Sequence, residues 1–387
     1  MNIQHLIIAS LGITSCYLST AVANSTVPPT PTTTIAAPAS KTSTEHTHNS
    51  VTSLIAQITD QAIVPMYAKA DQQASKLQQV TQTFCQSPSH TGLQTVKHTW
   101  SAALSAWQSS EVALFGPGLV QQRDLHIYFR PVKKRVVKKL LAQAPAIETS
   151  HIEFAGVGAQ GFAALEYLLF DRQVDEKQHL EKFAAPDSKY CQHLVATSKL
   201  LQRDLAQINQ DWQQHFATAI KTAGTKNNTQ FPEQQQVLEL MLGKLDQLAE
   251  SIPNKLRQAL AKNAQLAGKD PQRAKLNPYK LEAWRSGHTL ANIRANLKGI
   301  QQLLEQGGLL AWLEQHKHPA LAQQLKAQLK TLNELSFTSQ DLFEQLRQQQ
   351  VSSADQLYSE SLKLSQSIKQ MAPALGVQLG FNDSDGD

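Results

Sequence analysis

TGLQTVKHTWSAALSAWQSSEVALF, Thr91 to Phe115, decides the fold. Leu93, Val96, Trp100, Leu104, Trp107 and Leu114 recur at helical spacing and form one apolar face. The run stops at Gly116-Pro117-Gly118, a sequence no helix continues through. The same periodicity holds almost everywhere from Val51 onward. Leu54, Ile55, Ile58, Ala62 and Ile63 mark a first helix, which Pro65 is expected to kink or divide. Pro131 is expected to open a helix that carries Lys133, Lys134, Arg135, Lys138 and Lys139. Residues 187–222 place Leu194, Leu201, Leu205, Ile208, Trp212 and Phe216 on one stripe. Further helices are expected over 233–264, 279–306, 319–350 and 352–371. No run of alternating polarity is long enough to read as a strand.

The clearest internal break is GTKNNTQFP, Gly224 to Pro232, which is polar and aperiodic. The sequence therefore predicts an all-α chain of two tandem helical-bundle domains, 51–224 and 232–381. With 387 residues, of which 41% are hydrophobic, each half can bury a core. The net charge of +5 suits solubility and falls short of a dedicated nucleic-acid binder.

The first 50 residues stand apart. Leu6 to Gly12 is a short apolar core, far below the roughly 20 residues of a spanning helix. Ala21-Val22-Ala23 offers small residues for cleavage before Asn24, so 1–23 reads as a signal peptide, although no Lys or Arg precedes its apolar core. Ile13-Thr14-Ser15-Cys16 also resembles a lipoprotein box, with Cys16 as the lipid-bearing residue and the only membrane attachment. Residues 24–50, rich in Thr, Ser, Pro and Ala, are expected to be a disordered linker in which His46 and His48 are solvated. Of three cysteines, Cys85 and Cys191 remain after processing, and in an oxidising compartment they are natural disulfide partners. The chain contains no CxxC, HExxH or GxSxG motif.

GFAALEYLLF, Gly161 to Phe170, puts Glu166 among apolar neighbours. Here the chain resembles the imelysin-like family, exported bacterial proteins grouped with a metallopeptidase family and implicated in iron uptake. The family's signature is Gly-x-His-x-x-Glu followed by Tyr-Leu-Leu-Phe. Gly161, Glu166 and Tyr167-Leu168-Leu169-Phe170 match it, and Ala163 stands where the His belongs. Arg123, Phe129, Pro131 and Lys133, then Tyr190-Cys191, then Glu282-Ala283-Trp284-Arg285-Ser286, then Leu375 to Asn382 are similar to further family motifs in the same order.

The resemblance implies a cell-envelope or periplasmic protein that serves iron or other metal uptake as a binding component, with iron-transport components as partners. Its site would lie between the two bundles near Glu166. The alternatives are an imelysin-type metallopeptidase and an interaction scaffold with a degenerate site. His and Glu three apart share a helix face and can ligate one metal. With Ala163 one ligand is lost, so Glu166 alone makes a poor site for a divalent metal or iron, and peptidase activity is doubtful. Two readings of Glu166 stay open. It is either a buried carboxylate held by an Arg, capping donors or Tyr hydroxyls, or a retained part of a ligand site. Arg123 and Arg285 are its expected partners. Glu111, one turn after Trp107, is either on a solvated face or in the same cleft. Glu282 belongs to the site by resemblance, and His288 could bring an imidazole to it from the second half. The Lys133–Lys139 cluster reads as a solvated helix face or a contact for anionic head groups or an acidic partner. The tail Asn382–Asp387 lacks the Gly and Glu placement of a calcium loop.

Overall fold

The computed structural model describes residues 51–144, 146–262 and 275–379. The expected signal segment with Cys16, the linker with His46 and His48, and the tail Asn382–Asp387 lie outside the described residues. Within them every regular element is helical.

Residues 51–57 are helical and pass through a π-helical stretch, Ile58–Ile63, into α1, Val64–Gln86. Pro65 sits in the first turn of α1 and has no N–H to donate. A π turn precedes it and the helix runs on beyond it, so the helix is bulged rather than divided. Helix α2, His90–Ser110, opens on Ser89, whose side chain accepts from the Gly92 N–H at 3.1 Å. A short helix, Arg123–Tyr128, follows. The next helix, α3, spans Lys134–Gln143 and does not start at Pro131. The Arg130–Pro131 bond is cis, and the Lys133 N–H is drawn to the Gly158 carbonyl at 3.0 Å. Helix α4, Gly161–Leu169, carries the quoted signature, and α5, Lys189–Asp211, carries the long apolar stripe.

The polar break at 224–232 is a tied turn. Gly224 N–H donates to Phe231 O at 3.0 Å, and Asn228 Oδ1 accepts from Phe231 N–H at 2.8 Å. Beyond it come α6, Gln234–Arg257; α7, Thr289–Glu305; α8, Pro319–Glu334; and α9, Ser352–Lys369. Two expected helices are shorter than their pattern. Residues 281–288 form turns, because Ala283 and Gly287 take positive φ of 50° and 77°. The 319–350 stretch is interrupted after Glu334 and resumes at Leu342–Arg347, capped by the Asp341 side chain.

In the first half α1 packs on α2 and α5, and α4 packs on α5. In the second half α6 packs on α9, and α9 on α8. Helix α7 packs on α6 and α8 of its own half and also lies along α2 of the first. One hydrophobic cluster includes Trp100, Trp107 and Trp212 of the first half and Leu245, Ile300 and Leu364 of the second. Each buried aromatic removes roughly 150–250 Å² from water, so these three are the largest single contributors to the apolar term of the first half. At Gly299 of α7 the halves approach closely: a Cβ there would sit 2.1 Å from the Ser109 carbonyl oxygen. Residues 375–377 pack onto the body, with Leu375 and Val377 buried and Gln235 Nε2 donating to Gly376 O at 2.8 Å. Cys85 and Cys191 form the expected disulfide, with their Cα atoms 5.5 Å apart.

Candidate functional site

Glu166 projects from α4 toward the 281–288 turn. Its Oε1 accepts two hydrogen bonds from one residue, the Ser286 backbone N–H and the Ser286 hydroxyl, both at 2.8 Å. Burial pushes the Glu166 carboxyl above the usual carboxylate range, while the Ser286 donors and Arg285 pull the other way. The turn is held from its other side as well. Arg172 Nε donates to the carbonyls of Trp284 and Arg285 at 3.1 and 2.9 Å, and its guanidinium pairs with Asp341 at 2.6 Å and Glu344 at 3.0 Å.

The expected arginine partners do not pair with Glu166. Arg123 bonds Asp211 at 2.7 Å and the Pro117 carbonyl at 3.1 Å, so it braces the start of its own short helix against the end of α5. Arg285 stacks over Trp284 at 4.5 Å and over Tyr167 at 5.2 Å and reaches Glu166 only through its field. The donors that do bind Glu166 are the hydroxyl and backbone N–H of Ser286, a residue inside the Glu-Ala-Trp-Arg-Ser motif. A motif shows which residues recur together, and it does not show which of their atoms meet.

Glu282, in the same turn, is the centre of a second and more deeply buried group. Its side chain is 1% exposed; Arg130 Nη1 lies 2.7 Å and Lys255 Nζ 3.0 Å from its Oε2. Asn292 Nδ2 donates to its Oε1 at 3.1 Å. Burial raises the Glu282 carboxyl, but Arg130 and then Lys255 outweigh it and hold it below the usual range. Lys255 also donates to Gln108 Oε1 at 2.8 Å and Asn296 Oδ1 at 2.6 Å. Glu111 closes the network, accepting from Gln108 at 3.2 Å and Asn296 at 3.0 Å. Burial pushes its carboxyl up, with Lys255 opposing. Glu111 therefore joins the buried network and is not on a solvated face.

His288 lies at the edge of this group. Its Nδ1 is 3.1 Å from the Ser286 carbonyl, and its ring packs on Trp100 and Phe170. Burial holds its imidazole below the ordinary histidine range. Ser286 and His288, with Gly287, Ala291, Arg294, Gln340 and Asp341, line a cavity of about 460 Å³.

Arg130, Lys255, Gln108, Asn292 and Asn296 belong to no motif that the sequence singles out. Lys255 left a signal: it follows Ile252 by three residues and precedes Leu256, so a cation falls beside the buried face of α6, as Glu166 falls on α4. Asn292 and Asn296, four apart on α7, repeat that pattern.

Ala163, at the signature's His position, is buried on α4. Among the described residues no three His, Cys, Asp or Glu side chains converge as a metal centre requires. The carboxylates are instead gathered by internal cations and amide donors. These residues do not fit a resident metal ion, so no chemical step is assigned to one.

The imelysin family model (Peptidase M75) matches residues 63–371. The chain belongs to the imelysin family. This imelysin is 25% identical over 287 residues to iron-regulated protein A of Synechococcus elongatus, covering 70% of this chain and 71% of that protein. It shares its fold with the crystal structure of an imelysin-like protein from Psychrobacter arcticum, with a TM-score of 0.70, 24% identity, and coverage of 86% of this chain and 98% of the other. Among the described residues of this imelysin, no helix is long and apolar enough to cross a membrane.

Proposed function

We propose that this imelysin is an exported cell-envelope protein that binds a ligand in iron or other metal uptake, with Glu166 holding the binding turn. The supporting observation is the Glu166–Ser286 clamp, which fixes the wall of the 460 Å³ cavity from the opposite half of the chain. That wall carries the His288 imidazole, the Arg294 guanidinium, whose Nη1 donates to Gln340 Oε1 at 2.6 Å, and the Asp341 carboxylate, which Arg172 holds. This set suits a metal in complexed form, whose organic shell supplies the ligands that Ala163 does not. The iron reading rests on family membership and on the name of the Synechococcus relative. Peptidase chemistry needs a metal with three protein ligands and an open position, a set the described residues do not present.

A thermal-shift titration of the mature protein with ferric nitrilotriacetate tests this reading, with iron-free nitrilotriacetate as the control. Binding to the folded state alone should raise the midpoint in a dose-dependent way. His288→Ala and Arg294→Ala should lower the affinity at least roughly tenfold, or about 1.4 kcal/mol. No iron-dependent shift, or an identical shift in both variants, would count against this site.

A further inference from the structure

The basic run on α3 is not only a solvated face. Lys134 of α3 and Arg285 of the 281–288 turn meet at the same indole: Arg285 Cζ is 4.5 Å and Lys134 Nζ 5.8 Å from the Trp284 ring centroid. The two charges are therefore no more than about 10 Å apart, a limit set by their distances to the shared ring. Lys138 follows Lys134 by four residues, on the same face of α3. No carboxylate lies within ion-pair distance of Lys134, Lys138 or Arg285 among the described residues. The nearby acids are taken: Asp171 pairs with Lys182 at 3.0 Å, and Glu166 is bound by Ser286. Burial, and then the charges of Arg285 and Lys138, hold the Lys134 amine below its ordinary range, as expected of like charges brought together.

The arrangement is also rigid. Trp284 stacks on Phe343 at 5.2 Å and meets Tyr279 edge-on at 4.9 Å. The backbone on either side is fixed, with the Trp284 and Arg285 carbonyls held by Arg172 and the Ser286 N–H held by Glu166. With the ring and the turn backbone already fixed, only the side-chain ends of the three cations need to be ordered on binding, which favours affinity.

We propose that Lys134, Lys138 and Arg285 form a binding site for a small multivalent oxyanion, a polycarboxylate or a polyphosphate. Guanidinium matches the paired oxygens of a carboxylate or phosphate with two parallel bonds, and the two ammonium groups act as point charges beside it. Two cations within this span, with Lys138 one helical turn along from Lys134, match an anion of more than one charge, and a monovalent one would leave most of the repulsion unrelieved. The site differs from the Ser286–His288 cavity and does not depend on iron binding there.

The test is titration calorimetry of the mature protein with metal-free pyrophosphate and with citrate, against acetate at matched ionic strength. Pyrophosphate or citrate should bind the parent, and acetate should give no saturable heat. The double variant Lys134→Gln, Lys138→Gln should weaken binding at least tenfold. Arg285→Lys should weaken it several-fold, because charge is kept but the fork is lost. Lys326→Gln, on α8, should leave affinity unchanged. All of these variants are at exposed or half-exposed positions, and circular dichroism would check that they fold. A parent that binds neither anion, or affinity that survives the double variant, would overturn the proposal. A pull-down on phosphatidylglycerol vesicles separates a lipid source of the same chemistry: vesicle binding that free pyrophosphate cannot displace would also overturn it.

Discussion

Gly161 shows how a signature residue can be fixed by sterics alone. Its φ is +69°, and a Cβ there would lie 2.3 Å from the Ile127 carbonyl oxygen. Gly161→Ala should therefore lose roughly 3 kcal/mol from backbone strain and the clash together, read from urea denaturation. A loss below about 1 kcal/mol would mean that the Arg123–Tyr128 segment moves aside. The sequence made Gly161 and Glu166 stand out as a motif. It could not show that a carbonyl far earlier in the chain demands the glycine, or that a backbone N–H satisfies the carboxylate. Glu282 carries the largest single-residue prediction. Glu282→Gln leaves Arg130 and Lys255 without their counter-charge, and should cost about 3–5 kcal/mol near neutral pH. The pH dependence has a definite sign. Because Glu282 is held below its ordinary value of 4.5, its contribution is present above that value and is lost as pH falls through the lowered one. The gap between parent and variant in urea midpoint should narrow on acidification; a gap constant down to about pH 3 would contradict the ion-pair account.

At the scale of elements, periodicity predicted most of the helices, and two of the features that escaped it show why. The first is the turn 281–288, where the apolar spacing runs on but Ala283 and Gly287 take positive φ; Gly287 also packs so closely that a Cβ would touch Asp341. The second is the start of α3, decided by a tether to Gly158 that no local pattern encodes. The disulfide joins the last turn of α1 to the first turn of α5 across a sequence separation of 106. Reduction should lower stability by about 2–5 kcal/mol, seen as an earlier urea midpoint with reductant present. An unchanged midpoint would show that helix packing alone holds these ends together.

At the scale of the whole molecule, the sequence predicted two tandem bundles, whereas helices of both halves share one hydrophobic cluster. What it could not show is that α7 crosses over to α2, which places the buried network of Glu111, Glu282 and Lys255 between halves distant in sequence. Contacts between distant segments follow from complementary shape, and shape is not written in hydrophobic spacing. The crossing has a mechanical consequence. At Gly299 the backbones of α7 and α2 touch with no side chain between them, and Ser109 Oγ donates to the Ala295 carbonyl at 3.0 Å beside that contact. Sliding α7 along α2 by even one residue would bring a Cβ into the space that only hydrogen now fills. Shear between the halves is therefore resisted at this point, and a hinge about the contact is the motion it leaves easiest.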